Sequence, residues 1–327
     1  MRTPVLLGPH RVVDVVRPLH PVASVYIGPP NGVLWEDRVS RLADALLADG
    51  ADEATVLDFL VATTDEPDTP VAVFADGGHV PGRYATPGRR GPDVATYGAP
   101  AHVLPLLAWA QERPSCVVVD ARRAGVEVTA VPGGLEVGGP DSVRCRPRAA
   151  VEACRVALAR FRSRLVVVHG EDAVAESLRA AFGPVVTVRR VRESGSDRLA
   201  EVARSTARLW SAHSLADFDE RSRTPGHTAH GVPGTLDALA RGRVRELLVR
   251  SGAADPAIAW FGASARQVLD GRRSASWARR SGPAVDVAVR AALLGDVPVR
   301  VLRPGVPGAP AGGIGALCRF PLAVVRS

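Results

Sequence analysis

The chain has 327 residues, 46% of them hydrophobic and 23% charged, which supports two or three ordinary folded cores and argues against a disordered or fibrous protein. Its 41 basic residues are all Arg, set against 34 acids for a net charge of +7, and Asn31 is the single Asn, so part of the basicity reflects a high-GC coding composition rather than a partner. Cys116, Cys145, Cys154 and Cys318 show no C-x-x-C spacing, no N-terminal run suits a signal peptide and no segment approaches the ~18 apolar residues of a span, so zinc, disulfides and membrane insertion are not expected and the location expected is cytoplasmic.

Charge is unevenly distributed. Residues 1–80 hold five Arg and twelve acids, a balance of −7, which leaves +14 for the rest of the chain. Such asymmetry fits an acidic end joined to a nucleic-acid-facing body, and equally a surface of solvated Arg.

In chain order, Val22 to Ile27 alternates as a strand and Gly28-Pro-Pro-Asn-Gly32 breaks it. Val39, Leu42, Leu46 and Leu47 have helical spacing before Gly50, and Asp52 is placed to cap a second helix burying Val56, Phe59 and Leu60. A short strand, Val71 to Phe74, leads to the turn Asp76-Gly77-Gly78, and the Pro- and Gly-rich run from Pro81 to Pro100 reads as a loop or linker. An apolar stretch, Val103 to Ala110, precedes a buried strand Cys116–Asp120, a turn at Arg122-Arg-Ala-Gly125, and a strand through Val126, Val128 and Ala130.

Helix and strand then alternate: Pro147 to Arg162, Leu165 to His169, Ala173 to Phe182, Val185 to Val191, Ser196 to His213. This is the pattern of an α/β sheet with crossover helices. In the Ser196 helix, Leu199, Val202, Ala203, Thr206, Leu209, Trp210 and His213 form the apolar stripe, with His213 read as packed. Ser214 to Val232 is polar and reads as a hinge loop. Its His227 and His230 have no third ligand at fixed spacing and are not a metal site, and Asp172 after His169-Gly170 reads as a helix cap. A third unit follows, with strands near Val244 to Val249, Ala257 to Trp260, Val297 to Leu302 and Ala316 to Phe320.

Three segments of this last part, Gly234 to Val249, Val285 to Leu294 and Gly312-Gly-Ile-Gly-Ala-Leu-Cys-Arg-Phe320, resemble in that order the C-terminal domain of the archaeo-eukaryotic release factor and Pelota family. Asp286, Ala291 and Ala292 match its helix with a similar Asp and paired alanines. The chain looks like a divergent bacterial member, similar over roughly residues 100–327 and more loosely before. The resemblance implies a multidomain α/β protein: an acidic N-terminal α/β domain (1–100), a middle α/β sheet domain of release-factor type (101–215), and a C-terminal α/β domain similar to the kink-turn-binding ribosomal proteins (216–327).

In that family the middle domain opens with two strands and a turn, as Ser115 to Val131 does, and a following loop carries the Gly-Gly-Gln that positions water against peptidyl-tRNA. The matching stretch here is Val137-Gly138-Gly139-Pro140-Asp141. Pro140 has neither a side-chain amide nor a backbone N–H, so it cannot donate to a water or an oxyanion, and no catalytic residue is assigned. Gly138 and Gly139 fit a simple hairpin turn as well as a vestigial functional loop. Arg148, Arg155 and Arg162 recur every seven residues, with Arg144 and Arg146 just before, a spacing that suits phosphate contacts and also an ordinary solvated face.

The resemblance therefore implies a non-catalytic ribosome-associated factor of rescue or hibernation type, bound at the A site. Its implied partners are rRNA, tRNA and a translational GTPase, and no cofactor is implied. Two alternatives stay open: a peptidyl-tRNA hydrolase of release-factor type, and a protein-binding regulatory module without nucleic-acid contact.

Overall fold

The computed structural model describes residues 12–78, 82–122, 125–136, 139–192, 195–252, 257–271, 275–278 and 280–320. The fold is α/β with four separate sheets among these residues, divided into two compact units. One comprises the described residues of Met1–Ala108 and His213–Ser327, the other Trp109–Ala212.

The chain enters through a short helix, α1 (Val12–Val16), then β1 (Val22–Ile27), α2 (Trp35–Ala48), α3 (Glu53–Ala62), β2 (Val71–Ala75), β3 (Gly82–Ala85) and β4 (Val94–Gly98). These strands form an antiparallel sheet of order β3-β2-β1-β4. The helices bury Trp35, Val39, Leu42, Leu46, Val56 and Phe59 against Val25, Ile27 and Val73. Asp52 caps α3 as its sequence suggests, its Oδ1 accepting from the Thr55 N–H at 2.8 Å. Leu47 and Leu60, assigned by spacing to the buried faces, are instead exposed.

The run Pro81–Pro100 is not a linker. It supplies two strands of this sheet, whose Gly and Pro mark strand ends rather than a break between domains. One ion pair fixes the last of them. Arg38, buried on α2, donates to both carboxylate oxygens of Asp93 (2.8 and 2.7 Å) and to the Gly28 carbonyl, while Asp93 Oδ1 accepts from the Gly28 N–H. Burial would raise the Asp93 pKa, but those hydrogen bonds and the Arg38 charge hold it below the ordinary carboxylate range.

After α4 (Leu104–Gln111) comes the middle sheet, built from β5 (Cys116–Arg122), β6 (Gly125–Val131), β7 (Asp141–Cys145), α5 (Ala150–Arg160), β8 (Leu165–Gly170), α6 (Asp172–Phe182), β9 (Thr187–Val191) and α7 (Ser196–Ser222). Its order is β7-β6-β5-β8-β9, with β5, β8 and β9 parallel and β6 and β7 antiparallel. Residues of alternate parity face opposite layers, as pleating requires. Val117, Val119, Val166 and Val168 pack on Cys154, Leu158, Ala175 and Leu178 of α5 and α6, whereas Cys116, Leu165 and Val167 pack on Val202 and Ala203 of α7.

Two sequence expectations change here. Helix α7 runs nine residues beyond His213 to Ser222, so the first half of the expected hinge is helical; Leu215 and Phe218 bury against Leu248, Leu302 and Leu317. Past Trp210 the buried side of the helix passes to Ser214, Leu215 and Phe218, leaving His213 and Leu209 exposed rather than packed. Asp172 is the first residue of α6 rather than its cap, and its carboxylate pairs with Arg190 at 2.8 Å.

The remaining elements are β10 (Thr228–His230), α8 (Gly231–Ala240), β11 (Val244–Arg250), β12 (Ile258–Phe261), β13 (Val268–Asp270), β14 (Arg280–Pro283), α9 (Ala284–Leu294), β15 (Val299–Leu302) and β16 (Ile314–Cys318). One sheet has order β10-β16-β11-β15 and a smaller one β13-β12-β14. The expected final strand begins and ends two residues earlier than its apolar run implies, leaving Phe320 exposed. Gly312 to Gly315 leads into this strand, as expected, and opens no helix.

Helix α9 is buried on all sides, including two charged residues. Asp286 lies 2.8 Å from His102 Nδ1. The Arg290 guanidinium donates to the carbonyls of Val16, Arg17 and Gly262 and covers the Phe261 ring at 5.0 Å. Burial lowers its pKa to about 10, so it stays charged at neutral pH and holds residues 16 and 17 to the C-terminal part of the same unit.

Candidate nucleic-acid interface

The middle unit concentrates the features that bear on function. β6 and β7 pair from Val126–Cys145 to Ala130–Asp141, so the stretch matching Gly-Gly-Gln joins the two strands at the Ala130–Asp141 end of the hairpin. Gly138 lies outside the described residues. Gly139 and Pro140 are exposed, and a Cβ at Gly139 would meet nothing within 4 Å. A glycine there is not required by local crowding.

The five sequence-assigned arginines are all exposed, but they do not share one helical face. Arg144 is on β7, and Arg146 and Arg148 lie at a 3-10 turn spanning Pro147–Ala149, where proline suits the first helical position. Of the seven-residue series only Arg155 is on α5, because the α-helix proper begins at Ala150 and is capped at Phe161; Arg162 follows it in a left-handed conformation, φ 47°. Arg155 pairs with Glu152 one turn away, and Arg160, which spacing did not single out, pairs with Asp141. Arg144, Arg146 and Arg148 thus lie toward and beyond the Val126–Cys145 end of the hairpin, away from the loop, and Arg155 and Arg162 follow farther along the chain.

A second feature is a polar row across four strands. Arg144 on β7 is in register with Glu127 on β6, Glu127 with Asp120 on β5, and Asp120 with His169 on β8. Strand neighbours at matching positions stand about 5 Å apart on one side of the sheet, so these groups reach each other. Arg144 Nε is 3.9 Å from Glu127, His169 Nδ1 is 3.2 Å from Asp120, and Arg122 Nε reaches Asp120 at 2.9 Å. The Arg122 hydrogen bond is the main reason that the Asp120 carboxyl sits below its usual range. An ionised, doubly partnered Asp120 is an orienting group and not a general acid. Three members of the row, Arg144, Glu127 and Asp120, line a shallow cleft of about 320 Å³ with Arg122, Gly125, Val126 and Cys145. Cys145 is no activated nucleophile, since burial pushes its thiol pKa up.

The third feature was missed by residue spacing. Arg190, Arg192, Arg198 and Arg204 line an open groove of about 810 Å³ with Val191, Asp197 and Glu201, between the end of β9 and the first turns of α7. Arg190 is held by Asp172 and the Gly170 carbonyl, and Arg198 by Glu201 at 2.7 Å. The signal in the sequence is the run Arg189-Arg190-Val191-Arg192 closing a strand just before a helix. Four guanidinium groups against Asp197, Glu201 and the Asp172 that holds Arg190 leave the groove a small positive excess, which suits a phosphodiester backbone. Among the described residues no three His, Cys, Asp or Glu side chains gather to hold a metal ion.

No family model matches the chain. Nor does any curated protein. Among solved structures it is similar to Archaeoglobus fulgidus Pelota, at 17% identity over 79% of this chain and 81% of that one, with a TM-score of 0.31. It is also similar to an archaeal Pelota described as ribosome-bound with ABCE1, at 12% identity over 95% and 93% of the two chains and a TM-score of 0.42. A third is S. cerevisiae Dom34, described as a translation termination-like factor interacting with Hbs1, at 8% identity over 85% and 80% and a TM-score of 0.41.

Proposed function

We propose that the protein is a non-catalytic, ribosome-associated translation factor of rescue or hibernation type that occupies the A site. The observation that carries this reading is the β6–β7 hairpin. Its connecting stretch presents exposed Gly139 and Pro140 where the release-factor resemblance expects Gly-Gly-Gln, and exposed Arg144, Arg146 and Arg148 follow along β7 and past its far end. Such a hairpin can enter an RNA-lined passage and grip phosphates. It brings no group at Pro140 to position water. The groove of Arg190, Arg192, Arg198 and Arg204 adds a second phosphate-binding surface on the same unit.

In this reading the C-terminal domain, which by its segment order resembles the kink-turn-binding ribosomal proteins, faces the factor-binding region and meets a translational GTPase, and the protein works in the cytoplasm. Among the described residues no helix is long and apolar enough to cross a membrane. The test is a sucrose-gradient profile of tagged protein from growing and stationary cells. The expected result is comigration with ribosomes at low salt and release as salt rises; protein confined to the top fractions in both states would reject the reading.

A further inference from the structure

Helix α3 is apolar on two sides. Val56 and Phe59 face the core, yet Leu57, Leu60 and Val61 recur at i, i+3 and i+4 on the outside and are 60%, 38% and 65% exposed. The Trp35 indole N–H donates to the Thr63 carbonyl at 2.9 Å, which sets the start of α2, just after exposed Val33 and Leu34, beside the end of α3. Leu34 is 69% exposed. Isolated apolar residues on a surface are unremarkable, but Leu57, Leu60 and Val61 on one side of α3, with Val33 and Leu34 just before the tied start of α2, make an apolar surface of the kind that binding covers.

The rim of this patch has one sign. Glu36, Asp37, Asp44, Asp49, Asp52, Glu53, Asp65 and Glu66 are exposed around it. The two arginines of the layer do little to balance them, since Arg38 is buried on Asp93 and only Arg41 reaches solvent. Negative charge of this density repels RNA and anionic lipid, and it opposes a two-fold pairing of the face with its own copy. What complements leucines framed by carboxylates is a helix with Leu or Val along one side and Arg or Lys flanking it.

We propose that the α2–α3 face docks a basic amphipathic helix of a partner protein. This surface lies in the unit that does not contain the arginine groove, and the inference does not depend on ribosome binding.

The test is fluorescence anisotropy with full-length protein and a labelled model peptide of about 18 residues, five helical turns, carrying Leu on one side and Arg on the other. Two controls replace Arg by Glu, or Leu by Ser. At ~0.15 M salt the Leu/Arg peptide is expected to bind at least about tenfold more tightly than either control, and the double variant Leu57→Asp, Val61→Asp to lose about that factor. Both positions are exposed, so an unchanged thermal transition would show that the variant folds. Equal binding of the Ser/Arg peptide would reduce the site to bare charge and overturn the proposal, as would binding indifferent to the double variant. Self-association in sedimentation equilibrium, or flotation with zwitterionic vesicles, either one abolished by that variant, would assign the face to a second copy or to a bilayer instead.

Discussion

His102 Nδ1 and an Asp286 carboxylate oxygen lie 2.8 Å apart although 184 residues separate them in the chain. Burial on its own would lower the His102 pKa; the hydrogen bond and charge of Asp286 outweigh it and raise the value above 6.5. A raised histidine favours the protonated folded state, so its contribution is fully present below the unfolded pKa and is lost as pH rises through the folded one. Asp286→Asn should cost roughly 1–3 kcal/mol at about pH 6 and progressively less towards about pH 9. Urea titrations of both proteins across this range check it; a cost that grows with pH would contradict the linkage.

Asp93 behaves in the opposite sense. Its depressed pKa stabilises the fold above the unfolded value, and that contribution disappears as pH falls through the folded value, below about pH 4. Asp93→Asn leaves the Arg38 guanidinium buried without its counter-charge, which should destabilise by about 3–5 kcal/mol near neutrality. The variant should also lose the acid-dependent step that this linkage predicts for the parent's unfolding midpoint.

Gly282 on β14 runs against the Ala99 carbonyl, where an added Cβ would lie 1.9 Å from the oxygen. Both groups are backbone and cannot swing aside, so Gly282→Ala should lose about 1–3 kcal/mol. Gly98, in the adjoining strand β4, offers open space to a Cβ, and Gly98→Ala should change stability by under ~0.5 kcal/mol. Paired thermal denaturation curves distinguish the two.

Cys116 and Cys154 are buried thiols whose pKa burial pushes up to about 12. Neither should react measurably with a water-soluble disulfide reagent at neutral pH until the middle unit opens. Their labelling rate should therefore follow denaturant concentration in step with loss of ellipticity. Rapid labelling of the native protein at either position would contradict this packing.

The arginine surfaces make a salt-dependent claim. If Arg192 and Arg204 contact phosphates, their double replacement by Ala should reduce the slope of log K against log salt for a single-stranded RNA by roughly 1.4, with a similar reduction for Arg146 and Arg148. A steady slope in both variants would leave these arginines merely solvated.

Much of the architecture could be read from local pattern. The Asp52 cap and the valine runs of β5 and β8 each announce themselves within ten residues or so, whereas α9 is expected only from the family resemblance. The errors came where tertiary packing overrides composition. β3 and β4 are short and flanked by Gly and Pro, and the last turns of α7 are largely polar, with the three-residue spacing of Leu215 and Phe218 as the available cue. The site was less legible. The row Arg144–Glu127–Asp120–His169 depends on strand register, and the arginine groove on the meeting of β9 with α7, neither of which spacing along one segment encodes. Periodicity also placed Arg148 and Arg162 on a helix that is shorter than their interval.

The position of β7 at the margin of the middle sheet has a further consequence. A marginal strand offers unpaired N–H and C=O groups that invite other chains to extend the sheet, the usual beginning of aggregation. Here Pro140 precedes the strand, and Asp141 and Arg144 flank the exposed Val143. A proline that cannot donate and two charges that resist desolvation make this margin a poor template for strand addition. The hairpin can thus remain uncovered without becoming adhesive, which keeps its arginines available in a concentrated protein solution.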